Sequence, residues 1–488
     1  VPLVAGVDCS TQSTKVVVVD ADTGELKGTG SSPHTVTGSG GARESDPREW
    51  EVALAAALAA AGRTREVAAI SVAGQQHGLV VVDAAGAPLR PAILWNDVRS
   101  AADADLLVAR LGGPAATARL VGSVLTASFT VTSWAFLRRV EPETAARAAA
   151  VRLPHDHLHA CLTGRAVTDR SDVSGTGWWS PAEGDYAREV LDLDIVRLGV
   201  AQLPEVLGPF DVAGPVHARA AARYGLRPDC LVGAGLGDNA AAALAVGPGP
   251  GEAVVSLGTS GTVFAVAESA PADETGVVAG FASGDGRFLP LACVNNATLA
   301  VDRVAGWLGC DREAVAPAGS VLFLPWLDGE RTPNAPTASG TLTGLRHDTP
   351  PGAILQAAYD GVVSTLLSAT DRLTLWAPQR EDAALVVVGG GARGRVWQET
   401  LRRLSGRPLL VPPPIEHVAY GAALQAALAL DGASGSGGVG LEDLDARRLA
   451  WGLRRGEELA PVPRDEARVA ELAAFRQAVL ASLVPAAP

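Results

Sequence analysis

Short apolar runs alternate with alanine-rich stretches of helical spacing through the first half of the chain, and that alternation predicts an α/β domain. Strands are expected at Val4 to Asp8, Val16 to Asp20, Val67 to Ala73 and Leu79 to Asp83. Asp20-Ala21-Asp22-Thr23-Gly24 reads as the turn that follows the second. Trp50 to Ala61 reads as a helix, with Asp46 as its cap and Pro47 early in its first turn. Further along, Asn239 to Ala245 and Arg464 to Leu483 read as helices, and Val386-Val387-Val388 as a buried strand entering a glycine turn. Gly432 to Gly440 reads as a mobile loop.

One pattern occurs twice. Val7-Asp8-Cys9-Ser10-Thr11-Gln12-Ser13-Thr14-Lys15-Val16 and Ser256-Leu257-Gly258-Thr259-Ser260-Gly261-Thr262-Val263 both read as strand, tight polar turn, strand. Small residues let the backbone of such a turn approach a ligand, and its amides and hydroxyls can donate to phosphate oxygens. Either turn alone is most simply a hairpin; two of them, one per half, suggest a clamp on a nucleotide triphosphate. The run Gly247-Pro248-Gly249-Pro250-Gly251 marks the junction, giving one lobe over 1–246 and another over 247–488.

Composition narrows the clients. A formal charge of −13 argues against nucleic acid and anionic membrane surfaces, which need dense basic patches, and favours a small soluble substrate. The cysteines (Cys9, Cys161, Cys230, Cys293, Cys310) are scattered and odd in number, so a disulfide framework is not expected and a cytoplasmic setting is. No leader sequence and no long apolar span are read from the chain. Lys15 and Lys27 are the only lysines, which makes Lys15, beside the first turn, conspicuous. Methionine is absent, and nothing physical explains it.

The candidate chemistry sits at the ends of these elements. Asp8, just before the first turn, can hold Mg²⁺ directly or through water, or simply cap the turn. Asp238, opening an alanine helix, reads either as a cap or as a catalytic base; the helix N-terminus is expected to depress its pKa, making it a weak base. Phosphoryl transfer through a loose transition state tolerates such a base. Gln75-Gln76-His77-Gly78 and Trp95-Asn96-Asp97 follow apolar runs, where polar groups point into a ligand crevice and suit a polyhydroxylated substrate; a buried structural role is the plainer reading of His77. Gly389-Gly390-Gly391 permits close approach to a nucleoside or a neighbouring helix, yet neither a Walker A sequence nor the dinucleotide fingerprint is present. His155-Asp156-His157-Leu158-His159 follows Pro154 at a helix start and lacks a further ligand at metal-site spacing, so helix-start polarity is its expected role.

Taken in order, Val7 to Lys15, Gly74 to Gly78, Ile93 to Asp97, Asp172 to Thr176, Gly237 to Asn239, Ser256 to Thr262, Phe323 to Pro333 and Gly389 to Arg393 resemble the FGGY family of carbohydrate kinases, and within it the kinases of xylulose. The resemblance covers essentially the whole chain. It implies two actin-like lobes of the ribonuclease-H-like type, with ATP and Mg²⁺ in the cleft between them and the sugar mostly on the first lobe. It implies that Asp238 takes the proton from the terminal hydroxyl of a ketopentose and that Asp8 organises Mg²⁺ and the phosphate. Gln76 and His77 are implied sugar contacts, with Trp95, Asn96 and Asp97 beside them. Thr11, Ser13, Lys15, Gly258 and Thr259 are the implied phosphate-loop residues, and Gly390, Gly391 and Ala392 the adenosine loop. The expected reaction is transfer of the ATP γ-phosphoryl group to the 5-hydroxyl of D-xylulose; another sugar or polyol, such as ribulose or a gluconate-like acid, or a non-catalytic actin-like sensor, are the alternatives, and a homodimer is left open. Two positions depart from the family pattern: Ser10 stands where many relatives have glycine, and Ser133 where lysine is usual.

Overall fold

The computed structural model describes residues 2–435 and 438–483, arranged around two seven-stranded sheets. In the first, Leu3–Cys9 and Ser13–Asp20 form an antiparallel hairpin, with Leu3 opposite Asp20 and Cys9 opposite Thr14. The valine run Val16 to Val19 is buried, as β-branched side chains on a covered sheet should be. Leu26–Pro33 extends the hairpin on one side, and Val67–Gly74 runs parallel to Leu3–Cys9 on the other. Leu231–Gly233 and the short strand Leu236–Gly237 add parallel to Val67–Gly74, and Val212–Pro215 closes the edge.

The second sheet repeats the theme. Ala253–Leu257 and Gly261–Phe264 pair antiparallel around the second polar turn, and Leu385–Val388 runs parallel to the first of them. Phe288–Val294 and Ala279–Ala282 extend it one way, Leu409–Val411 and Glu457–Leu459 the other. The twice-written sequence pattern is therefore the central hairpin of each sheet.

Element ends shift from the sequence reading for local reasons. The first helix spans Pro47–Ala61, three residues earlier than its apolar periodicity suggests, because Asp46 accepts from Arg48 N and Pro47 takes the first turn. The strand expected at Leu79 to Asp83 is reduced to Val80–Val82, and the terminal helix spans Glu466–Leu483. The expected loop at Gly432 to Gly440 is partly helical, since the helix His417–Ser434 carries through Gly432; Ser436 and Gly437 lie outside the described residues.

That last helix also reaches the first sheet. Although it belongs to the second half of the chain, His417–Ser434 packs on Leu3–Cys9 and Val67–Gly74 of the first sheet and along the helix Asp238–Val246. Only small residues allow such contact: a Cβ on Gly6 would lie 1.8 Å from Ala419 O, and one on Gly421 1.9 Å from Ala241 O. Buried Gln425 then bonds the layers, accepting from Ser71 Oγ (2.5 Å) and Gly235 N (2.9 Å) and donating to Gly235 O (2.9 Å) and Pro209 O (2.7 Å). The five cysteines are free, and among the described residues no helix is long and apolar enough to cross a membrane.

Candidate active site

Sheet register gathers the site. Asp8 lies opposite Ala73, Cys9 opposite Gly74, and Gly237 also opposite Gly74, so Asp8, the Gln75-Gln76-His77 segment and Asp238 leave the same end of three neighbouring parallel strands. In α/β sheets that end is where ligands bind. A cavity of about 440 Å³ opens there, within the usual range for small-molecule sites. The first lobe lines it with Thr11, Gln76, His77, Trp95, Phe129, Asp238 and Asn239; Ser260 to Thr262, Phe281, Cys293, Asn295 and Arg331 face them from the second.

Two carboxylates set its electrostatics. Asp238 is the first residue of the helix Asp238–Val246, with Gly237 in the cap position; its Oδ1 accepts from Asn239 N (2.7 Å) and Asn239 Nδ2 (2.9 Å). Its carboxyl keeps some contact with the cavity, yet burial, and then the charge of Asp8, push its pKa up to about 7 against the lowering bonds from Asn239. The depressed pKa expected from the helix N-terminus is thus overturned, because desolvation and a like charge outweigh it. Asp8 is itself raised to about 6 by burial, opposed by Ser10 Oγ, which donates to Asp8 Oδ1 at 2.7 Å, and by the charge of Lys15. Among the described residues neither carboxylate has an ion-pair partner.

The polar floor is interlocked. Gln76 Oε1 accepts from Asn239 Nδ2 at 3.2 Å, and Gln76 Nε2 donates to Ser171 O. His77 has a φ of 69°, unusual for a residue with a Cβ, and is held there by Thr130 Oγ1 on its carbonyl (3.0 Å) and by Gly175 O, 2.5 Å from its Nδ1. Burial, with a smaller push from the Arg331 charge, lowers the His77 pKa to about 4, so the ring is neutral. A neutral ring whose Nδ1 faces a carbonyl must donate from it, which leaves Nε2 as an acceptor. Phe129 and Phe281 flank the ring with centroids 5.0 and 5.7 Å away. Trp95 lines the cavity at 38% exposure and donates from Nε1 to Thr11 Oγ1 at 3.0 Å, tying the indole to the first polar turn.

On the second lobe, Gly258 and Thr259 form the polar turn, with Gly258 O accepting from Thr298 N and Oγ1, so the helix Thr298–Leu308 starts against it. Gly389 turns at a φ of 90°, and a Cβ there would lie 2.7 Å from Leu257 O. A Cβ on Gly391 would meet Thr298 Cγ2 at 2.9 Å, whereas one on Gly390 would meet nothing. The triple glycine therefore crosses directly behind the polar turn and leaves Gly390 open beside it; Ala392 is buried.

Other expected site residues sit apart from the cavity. Asp97 is buried and fully engaged, accepting from Arg43 N, Arg99 N and the Arg99 guanidinium, so it builds the loop instead of facing a ligand; Asn96 does not line the cavity either. Lys15 Nζ pairs with Glu416 Oε2 at 2.7 Å, linking the first hairpin to the start of the helix His417–Ser434. Ser13 begins a strand, and its carbonyl accepts from Ser10 N to close the turn. His155 and His159 pack under Gly235, with His155 Nδ1 2.6 Å from Asp172 Oδ2; they support the cleft floor from below. Asn239, Phe129, Phe281 and Arg331 are cavity residues to which sequence reasoning gave no role. For Asn239 its place beside Asp238 was the available signal.

Two α/β lobes, each built around a central hairpin, face each other across a polar cleft, with an aspartate at a helix start on one wall and a glycine-lined turn on the other. The N-terminal domain model of the FGGY family of carbohydrate kinases matches residues 3–245, and its C-terminal domain model matches 253–430, so the chain belongs to this family. It is 56% identical over 469 residues to a protein named xylulose kinase from Streptomyces coelicolor (96% of this chain, 94% of that one). Another so named, from Streptomyces rubiginosus, is 54% identical, covering 97% and 95%. The crystal structure of xylulose kinase from Bifidobacterium adolescentis superposes with a TM-score of 0.82 at 32% identity, covering 97% of this chain and 99% of that one.

Proposed function

We propose that the protein transfers the γ-phosphoryl group of ATP to the 5-hydroxyl of D-xylulose, giving D-xylulose 5-phosphate and ADP in a reducing cytosol. The observation that carries this reading is Asp238: a carboxylate with a pKa near 7, at the wall of a cavity shared by both lobes, beside three groups suited to hydroxyls, Gln76, Asn239 and His77 Nε2. The names of the Streptomyces relatives support the choice of sugar.

In this reading the first-lobe floor orients the sugar, and Trp95 packs its carbon face while holding Thr11 in the turn. The substrate oxygen attacks phosphorus, its proton passes to the Asp238 carboxylate, and ADP leaves. A base with a pKa near 7 is ionised in a substantial fraction of molecules near neutral pH and accepts the proton late, as a loose transition state allows. Asp8 and Asp238 offer hard oxygen donors without a paired cation, a donor set that fits Mg²⁺, with Asp8 as the residue that would hold it. When bound, the ion supplies charge neutralisation and polarisation of phosphate oxygens. The Gly258–Ser260 turn and Gly390 are the nucleotide side of the cleft, and the apolar lining from Phe129 and Phe281 keeps water from the reacting oxygen.

A sugar panel tests the assignment. In a coupled ADP-release assay D-xylulose should give the highest kcat/KM among D-xylulose, D-ribulose, D-gluconate and glycerol. Preference for gluconate would defeat it.

A further inference from the structure

We propose that Arg331 is a further catalytic residue, whose guanidinium binds the phosphoryl group during its passage to the sugar; this rests on the kinase reading above. Among the residues lining the cavity Arg331 is the sole lysine or arginine. Asp238 lines the cavity with the charge of Asp8 acting on it from behind, and an incoming polyphosphate adds its own negative charge, so a cation on the cavity wall meets a demand for neutralisation.

The loop carrying Arg331 is built to present it. Glu330, 1% exposed, accepts from Asn295 N (2.6 Å), Asn296 N (3.3 Å), Asn296 Nδ2 (3.0 Å) and the backbone N of Arg331 itself (2.8 Å). The carboxylate thus pins the backbone to the end of Phe288–Val294 through amides, while the Arg331 guanidinium has no ion pair or hydrogen bond among the described residues. Asp328 and Gly329 turn the loop at φ values of 59° and 91°, and a Cβ on Gly329 would lie 2.4 Å from Pro336 O. A buried acid spending its bonds on three main-chain amides and one side-chain amide, next to an arginine that lines a cavity and is left unpaired among the described residues, is an arrangement for receiving an anion.

Position selects which anion. The groups suited to sugar hydroxyls come from the first lobe, whereas Arg331 stands on the opposite wall with Ser260 and Asn295, on the side of the second polar turn. Its charge reaches His77 on the facing lobe, whose protonation it disfavours, so the guanidinium acts within the same cavity as the first-lobe floor. In the step, the bond from the γ-phosphorus to the bridging oxygen breaks with its electron pair leaving on ADP. The bond from the sugar oxygen to phosphorus forms, and the hydroxyl proton goes to Asp238. Arg331 exchanges no proton and neutralises charge on the equatorial oxygens, where the transition state concentrates it.

The test uses Arg331→Ala and Arg331→Gln in the full chain, with whichever panel sugar the wild type turns over best, so a wrong sugar assignment does not disturb it. Turnover is measured at saturating ATP, and sugar binding separately by calorimetry without nucleotide. For Arg331→Ala, kcat should fall about 10²- to 10³-fold, the scale of losing one transition-state donor, while the sugar Kd stays within about threefold. Added guanidinium chloride should restore part of the Ala variant's rate, which a structural role would not allow. Should the Ala variant prove unfolded by circular dichroism, Arg331→Gln is judged by the same kcat and Kd criteria. A kcat within about threefold of wild type, a sugar Kd weakened as much as kcat falls, or a folded Ala variant with no guanidinium rescue overturns the proposal.

Discussion

Ser10 donates from Oγ to Asp8 Oδ1 at 2.7 Å, so the serine of the first polar turn supports the buried carboxylate at the end of the first strand. The bond lowers an Asp8 pKa that burial raises to about 6. Ser10→Ala removes it and moves the Asp8 pKa upward. In the role proposed for it Asp8 works as a carboxylate, so the rate should drop several-fold more at pH 6 than at pH 8. A pH profile of kcat/KM for the two proteins checks this, and parallel profiles would sink the idea.

Asp238 links activity to stability with opposite sign. Its folded pKa of about 7 lies above the unfolded value near 3.8, so the folded state binds the proton more tightly. The stability this contributes is complete below about pH 4 and is lost as pH rises through about 7, by the linkage relation. Asp238→Asn escapes that loss. It should unfold at higher denaturant concentration than wild type at pH 8, by on the order of 1 kcal/mol once the solvent reaching the cavity is discounted, and the gap should shrink at pH 4.5.

His77 offers Nε2 as an acceptor because Gly175 O fixes its Nδ1 proton. His77→Asn tolerates the left-handed backbone but moves the acceptor. The KM for sugar should rise roughly 10- to 100-fold, the cost of one lost buried hydrogen bond, with the circular dichroism spectrum unchanged. An unaltered KM would return His77 to a structural role.

Gln425 satisfies three buried polar groups and a fourth, the part-buried Pro209 carbonyl, at the junction of the helix His417–Ser434 with the first sheet. Gln425→Leu strands them and should lower unfolding stability by about 2–4 kcal/mol in urea titration. Loss below about 0.5 kcal/mol would mean the junction is held by packing alone.

Much of this was legible in the sequence because local chemistry wrote it. The hairpins at Thr11 and Thr259, the triple glycine and the aspartate before the alanine helix are each contained within a few residues. What escaped depended on distant partners. Asp97 looked like a ligand residue until Arg43 and Arg99 were seen to occupy it, and the pKa of Asp238 was misjudged because burial and Asp8 act through space. The crossing of His417–Ser434 into the first lobe was invisible for the same reason: a helix whose middle is alanine and leucine nearly all round, with Gln425 alone among them, shows no face that tells where it packs. Arg331 stood inside a recognised motif, yet only the structure shows that Glu330 spends itself on amides and that the guanidinium has no partner among the described residues.

The most direct measurement is ADP formation with and without D-xylulose, for wild type and Asp238→Asn, alongside ATP binding by calorimetry. D-xylulose should stimulate the wild type strongly, and Asp238→Asn should lose at least about 10²-fold in that stimulated rate while binding ATP with near-normal affinity. Equal sugar-dependent rates in the two proteins would contradict Asp238 as the base at this site.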